Sequence, residues 1–596
     1  MRYLVLVLTL IMSGSLAAQL HTYNWTNGNK KAEGVVKDAL EQGKWTFWSK
    51  DGIIQQEVTY KDGIFNGVYV NYDENGNKQE EGTFINAKKE GVCKMWYSTG
   101  QLEMIGYNKN GFNDSLWTFY YENGKKKEEG YFEKDKRVGD WTTWYPNEQK
   151  KAIRTFKNDE VSLISYWNEK GVQLVKNGNG KFVELDQEGR EQLKGNYLNG
   201  KRTGLWVEFD ANHNKVSEGS YENGVMNGKW TYYYDNGTKR LEGVAKDGVK
   251  DKMWTYWYTN GQKLKEVNYK NGKENGVYKE WFESGKISVE GNYIAGEKDG
   301  EWIYWLENGN KDIAGNFKEG IRDGLWSFYN HTSGEKEYEG TYKEDKRNGV
   351  WTYWYPNNNV WKKGNYTNNV KDGEWSYWSE NKVLVMHGNF KNGKEEGQWE
   401  SWYDGGAKKD IGYFTAGLMN GAWEGWFENG QQDYKGEYKN GLKDGTWEHW
   451  YENGQQELMK TYFVKEEEVK SYLREGDKKY AEFTKTREIS VLDGPQFSWY
   501  ENGKPKDEGA YLDNVQHGKW TYYYDNGNKM YEQTFVAGRQ EGKVTQWYAI
   551  GTLEAEKNYK NFLPDGKWIY YEKQAGKVKK IAYFKDGVKV KEEPGK

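Results

Sequence analysis

The side chains in this sequence best placed to hold a ligand are tryptophans that return at a fixed interval: Trp257, Trp281, Trp305, Trp354, Trp378, Trp402, Trp426 and Trp450. The step is 24 residues, with one longer step of 49 between Trp305 and Trp354. Rigid amphipathic rings repeated in one register would make a ladder for a glycan or an extended peptide, using ring faces for contact and ring edges for hydrogen bonds. This row is the candidate binding surface.

Other chemistry finds no constellation. The six histidines, His21, His213, His331, His387, His449 and His517, are scattered, with neither HExxH nor paired spacing. Carboxylates precede many turns, as in Asp73-Glu74-Asn75-Gly76, Glu307-Asn308-Gly309 and Asp525-Asn526-Gly527. Their spacing matches neither an EF-hand loop nor a calcium-binding nonapeptide, and turn formation accounts for the Asn-Gly pairs. Among 90 nearly equivalent acids no catalytic carboxylate pair stands out. The glycines sit at turn spacing, outside any phosphate-loop pattern. The single cysteine, Cys93, allows no internal disulfide. It has no nearby histidine to activate it and reads as a small apolar filler. The expectation is a protein without catalytic residues, metal or cofactor.

The elements that must position the tryptophans are legible from a second row three residues earlier: Trp206, Trp230, Trp254, Tyr278, Trp302, Trp326, Trp351, Trp375, Trp399, Trp423 and Trp447. Upstream the row continues through Trp45, Tyr69, Cys93, Trp117 and Trp141, then blurs, with Ile164 and Phe182 in the slot. Downstream it resumes at Gln496, Trp520, Val544 and Trp568. A period near 24 residues marks a stacked repeat array. Residues 228–237 (GKWTYYYDNG) place Trp230, Tyr232 and Tyr234 on one face of a strand and Thr231 and Tyr233 on the other. Asn236-Gly237 predicts a two-residue hairpin turn with positive φ, residues 239–246 a return strand, and Asp247-Gly248 a second turn. The fold class is therefore all-β: an elongated repeat array of antiparallel β-hairpins, about 24 residues per unit and about 22 units. An offset of three puts the candidate row on the opposite face from the packing row.

Residues 1–18 look like an export signal, with Arg2, an apolar run at 4–12 and small residues at 13–18. The array then fills 19–462 and 494–596, separated at 463–493 by an irregular or degenerate segment that loses its glycine turns and has room for a small insertion or a short helix. Aromatics make up 17% of the chain, which argues against disorder despite a mean hydropathy of -1.10. Charge is balanced, 86 basic residues against 90 acidic, so nothing draws nucleic acid or an anionic lipid surface. No later segment is apolar enough to cross a membrane. The expected location is secreted, periplasmic or at the cell envelope.

Residues 219–230 (GSYENGVMNGKW) and 436–447 (GEYKNGLKDGTW) resemble MORN repeats in their bacterial variant form. The final position is Trp where the eukaryotic consensus has glycine, and Trp-Tyr and Asn-Gly follow. That form is similar to the repeats of YwqK-type antitoxins. The resemblance implies a repeated β-hairpin sheet used for binding. The reading is an exported, non-enzymatic scaffold that mediates protein–protein interaction or acts as a spacer at the envelope. One alternative is a glycan or cell-wall binder using the candidate row. The other is an antitoxin or immunity-type protein. Nothing in the repeat fixes an oligomeric state.

Overall fold

The computed structural model describes residues 17–475, 478–574 and 576–596. All but the last two residues of the proposed export signal lie outside the described residues. Among the described residues all regular structure is β-strand, and no helix is long and apolar enough to cross a membrane. The chain forms two compact units, Met1–Gly285 and Lys286–Lys596. In the first, consecutive strands pair antiparallel in chain order from Gln19–Asn24 to Lys273–Trp281. In the second they do so from Ile287–Ile294 to Val588–Pro594. Each unit is thus an array of antiparallel hairpins.

One repeat shows why these residues fold this way. Strand Val225–Tyr233 returns as Lys239–Lys246 and runs on into Val249–Trp257. Tyr232 faces Leu241 and Trp230 faces Gly243, so the packing row sits on one pleat and Thr231 and Tyr233 on the other. The Asn-Gly turn differs from the two-residue turn expected. The loop has three residues, Asp235-Asn236-Gly237, closed by Gly237 N–H to Tyr234 O at 2.8 Å, and Gly237 takes φ +82° while Asn236 stays in the ordinary region. Tyr234 therefore leaves the strand instead of extending its aromatic face. The two-residue turn is Asp247-Gly248, where both residues have positive φ, 50° and 84°.

The packing row forms the core. Trp254 and Trp375 are 1% and 0% exposed. Each indole N–H donates to a carbonyl ten residues back, Trp254 Nε1 to Val244 O at 2.9 Å and Trp375 Nε1 to Asn365 O at 3.0 Å. A second ring on the return strand meets the indole edge-on, as Tyr221 meets Trp230 (5.1 Å, 85°) and Tyr366 meets Trp375 (5.2 Å, 87°). Cys93 occupies the slot as a buried filler, beside Tyr69, Glu80 and Lys89.

Two assignments need correction. At the blurred units Ile164 is only half-buried, and Leu163 and Tyr166 fill the core instead. The strand bulges there, Arg154 facing Leu163 and Ile153 facing Ser165, which rotates Ile164 out of the slot. Among the described residues, 463–475 and 478–493 form neither an inserted loop nor a helix. They lie in one long hairpin, Gln456–Glu475 against Lys478–Trp499, paired from Leu458–Ser498 to Glu475–Lys478. No glycine interrupts 463–475 or 478–493, antiparallel pairing continues along both, and Val464 and Val491 stay buried at the hairpin's base.

Candidate binding surface

The candidate tryptophans end the strands that carry the packing row. Trp257 and Trp281 belong to the first unit. Trp305, Trp354, Trp378, Trp402, Trp426 and Trp450 belong to the second. All eight are partly exposed, on the face opposite the packing row. Around them is a repeating polar frame. Lys239 Nζ lies 5.6 Å from the Trp257 ring centroid and 2.7 Å from Glu242 Oε2. Glu242 also accepts from Thr231 Oγ1 at 3.1 Å and pairs with Lys229 at 3.1 Å. Lys263 caps Trp281 and Lys408 caps Trp426 in the same way, each at 5.5 Å. Such exposed cation–π and ion-pair contacts are worth about 0.5–1 kcal/mol each. Each capping lysine stands opposite the preceding strand-ending ring. In the capping positions of Trp378 and Trp402 stand Val360 and Leu384, so here the row loses its ammonium caps.

The frame is electrostatically set. Hydrogen bonds from Lys215 and then Tyr233 hold the Glu218 carboxyl below its ordinary range. Burial, helped by that carboxylate, pushes the Tyr233 phenol up to about 12.

Two bonding rows were not legible as such in the sequence. Where a tyrosine follows the ring that ends the strand, it donates its hydroxyl to the carbonyl of the next strand-ending ring: Tyr234 to Trp257 O (2.8 Å), Tyr258 to Trp281 O (2.9 Å), Tyr355 to Trp378 O (3.0 Å) and Tyr403 to Trp426 O (2.9 Å). The turn asparagines do likewise. Asn236 Oδ1 accepts from Thr238 N–H within its own turn, while Nδ2 donates to Thr259 O in the next at 3.0 Å. Asn429 reaches Glu452 O at 2.8 Å. Asparagine, not glycine's mere partner in a turn, is thus a repeat-to-repeat staple. The signal was its recurrence two residues after the Trp-Tyr pair.

Where the tyrosine row is interrupted, a cleft opens. Ser379 stands in the place of Tyr355 and Tyr403, and its buried hydroxyl has no hydrogen-bond partner. The cleft, about 690 Å³, is lined by Trp402, Tyr403, Tyr355, Glu380, Lys409 and Glu428 among others. One candidate residue, Trp402, is therefore a wall of a concave site. Trp354 lines a smaller one of about 240 Å³ with Tyr338 and Trp361. Among the described residues no group of three or more His, Cys, Asp or Glu side chains could hold a metal ion.

No curated protein matches this chain. Solved structures align weakly. "Crystal Structure of TcdB2-TccC3-Cdc42" is 10% identical, over 94% of this chain and 32% of that one, with a TM-score of 0.13. "Crystal Structure of TcdB2-TccC3-TEV" is 11% identical, over 96% and 36%, also at 0.13. The chain spans about a third of the length of those chains, and overlap this poor supports no argument about fold or role. The sequence profile of the MORN repeat variant behaves differently. It matches fourteen segments: 41–62, 65–86, 89–110, 114–134, 137–158, 226–247, 250–271, 274–295, 347–368, 371–392, 443–462, 492–513, 516–537 and 540–561. All but 443–462 hold a whole return strand with the turn before it, and together they cover just over half of the chain. The chain belongs to the MORN repeat variant family.

Proposed function

We propose that this chain is an exported, non-enzymatic repeat scaffold whose candidate tryptophan row holds a protein partner at or outside the cell envelope. Export rests on the apolar run at residues 4–12 and the small residues at 13–18. One observation carries the binding role. The indole N–H groups of the packing row, the tyrosine hydroxyls and the turn amides are engaged in holding repeats together, whereas the candidate tryptophans are only partly buried and keep a minor part of their surface in water. Partly exposed aromatics set in a rim of lysine and glutamate match the composition of protein-binding patches. Trp378 and Trp402, with Val360 and Leu384 in their capping positions, lack ammonium caps.

A second reading, glycan binding, is favoured by the cleft at Ser379. It joins aromatic walls to carboxylates, an ammonium and an unpartnered hydroxyl, the mixture that suits a polyhydroxylated ring. One experiment separates the two. The immobilised chain and its Trp305→Ala/Trp378→Ala variant are exposed to envelope extract and, in parallel, to insoluble polysaccharide. A discrete protein retained by the wild type and lost from the variant supports the scaffold. Retention on polysaccharide alone supports the glycan reading, and capture of a toxin would assign an immunity-type role. No specific retention in either arm refutes both binding roles.

A further inference from the structure

On the packing face, the residue two places after each core tryptophan supplies a ring in most repeats of the second unit. Tyr353 lies 6.4 Å from Trp351 at 34°, Tyr377 lies 6.1 Å from Trp375 at 33°, and His449 lies 6.2 Å from Trp447 at 27°. Ser401 and Gly425 interrupt this row. The place beside Gly425 is filled by Tyr434, which lies so close that any Cβ at 425 would overlap it, and whose hydroxyl donates to Asp410 Oδ1 at 2.7 Å. Ser401 faces Met386 across the strands. Its hydroxyl donates to Asp410 Oδ2 at 2.8 Å, and beside it opens a pocket of about 330 Å³ walled by Trp399, Trp423, Phe390, Phe414, Tyr377 and Met386. That volume is at the lower end for small-molecule sites, about 300–1,000 Å³. Trp423 is half-exposed here, whereas Trp375 and Trp447 are buried.

A second change occurs in the same repeat. Four residues before the core tryptophan, a lysine donates to the hydroxyl of the ring that Ser401 lacks: Lys298 to Tyr304 at 2.8 Å, Lys371 to Tyr377 at 3.2 Å. Before Trp399 that residue is Glu395, which also lines the pocket. The ring has gone, and the group that would meet its hydroxyl has changed from a donor to an acceptor. A carboxylate accepting a phenol proton is a pairing this chain already uses on the pocket wall, between Tyr434 and Asp410.

We propose that the pocket over Ser401 binds a phenol ring, free or as a tyrosyl side chain of a polypeptide. The ring sits beside Trp399 as Tyr377 sits beside Trp375, and its hydroxyl donates to Glu395. The site is on the packing face, so it stands independently of the role proposed for the opposite row.

Saturation-transfer NMR on the full chain tests this with three probes: 4-methylphenol, toluene and N-acetyltyrosinamide. Expected is transfer to 4-methylphenol with an affinity about tenfold above that for toluene, the value of one charge-assisted hydrogen bond. Ser401→Tyr, which restores the chain's own ring, should abolish it. Glu395→Leu should bring 4-methylphenol down to the toluene level, which keeps the test open if Ser401→Tyr misfolds. Transfer to N-acetyltyrosinamide assigns a polypeptide source, and its absence beside 4-methylphenol binding assigns a free phenol. Equal transfer in wild type and a folded Ser401→Tyr variant, no preference over toluene, or no binding of either phenol overturns the proposal.

Discussion

Gly243 lies flat against the indole of Trp254, so close that a Cβ on the glycine would fall inside the ring system, well under the 3.0 Å that real Cβ atoms keep. The same overlap would arise at Gly219 with Trp230, Gly340 with Trp351, Gly364 with Trp375 and Gly436 with Trp447. The two residues of each pair face one another across adjacent strands, eleven positions apart. Where the glycine is replaced, the tryptophan usually is as well. Val58 faces Tyr69, Val267 faces Tyr278, and Lys460 faces Gln496. The large ring and the missing Cβ are one packing solution, which most repeats keep or change together; Gly82 with Cys93 and Lys557 with Trp568 change one partner alone.

Gly243→Ala should therefore cost about 3 kcal/mol, the upper part of the range for overpacking a tight core. Adding Trp254→Tyr to Gly243→Val should recover most of the loss, because Val267 and Tyr278 already pack that way. Amide exchange across Val249–Trp257 reads the effect locally, as a repeat array opens by neighbouring units. Equal protection in Gly243→Ala and wild type would contradict the packing rule.

Tyr234→Phe removes one hydroxyl bond to the Trp257 carbonyl without changing ring shape. The expected cost is about 1 kcal/mol, seen as roughly fivefold faster amide exchange in the turn that follows Trp257. A similar change at Tyr233, whose hydroxyl bonds the Glu218 carboxylate instead, should leave that turn unaffected.

Burial, and then the Glu80 carboxylate, push the Cys93 thiol up to about 11. Tyr233 and Tyr377 are likewise pushed up to about 12, chiefly by burial. The folded chain holds these protons more tightly than an unfolded chain, whose thiol titrates near ~8.5 and phenols near ~10. Their stabilisation is complete below those values and is lost as pH rises through 11–12. The urea midpoint should stay level from about pH 7 to 8.5 and then fall, and Cys93 should resist alkylation at pH 8 until the chain is unfolded. Rapid alkylation of the folded protein at pH 8 would contradict the buried slot.

Glu218 works in the other direction. Lys215 and Tyr233 keep its folded pKa below the unfolded value, so its contribution is present above about pH 4.3 and disappears as pH falls through the folded pKa. Glu218→Gln should flatten the acid limb of the stability profile and, by taking the carboxylate from Tyr233, shrink that phenol's part of the alkaline limb.

The period of the aromatic rows carried the all-β repeat fold in plain view, down to return strand Lys239–Lys246. It placed Ile164 in a core slot because a periodic count has no way to register a bulge between Ile153 and Arg154. Residues 463–493 lost the regular spacing of turn glycines and read as irregular, although a chain without such turns keeps pairing. The surface row was visible as Trp257 to Trp450, but the roles of its neighbours were hidden. Tyr234 and Asn236 act on carbonyls 23 residues away, and such bonds leave no trace in local pattern. The pockets were hidden for a related reason. Ser379 and Ser401 are ordinary polar residues until the rings in the adjacent repeats show what each one replaces.

The central claim is a division of labour: the row containing Trp254 holds the repeats together, and the row containing Trp257 is available for contact. Hydrogen exchange on Trp254→Ala and Trp257→Ala measures it directly. Truncating the buried ring should cost about 3–5 kcal/mol and expose the strands on both sides. Truncating the partly exposed ring should cost about 1 kcal/mol or less and leave their protection intact. Equally wide opening in the two variants would contradict the account.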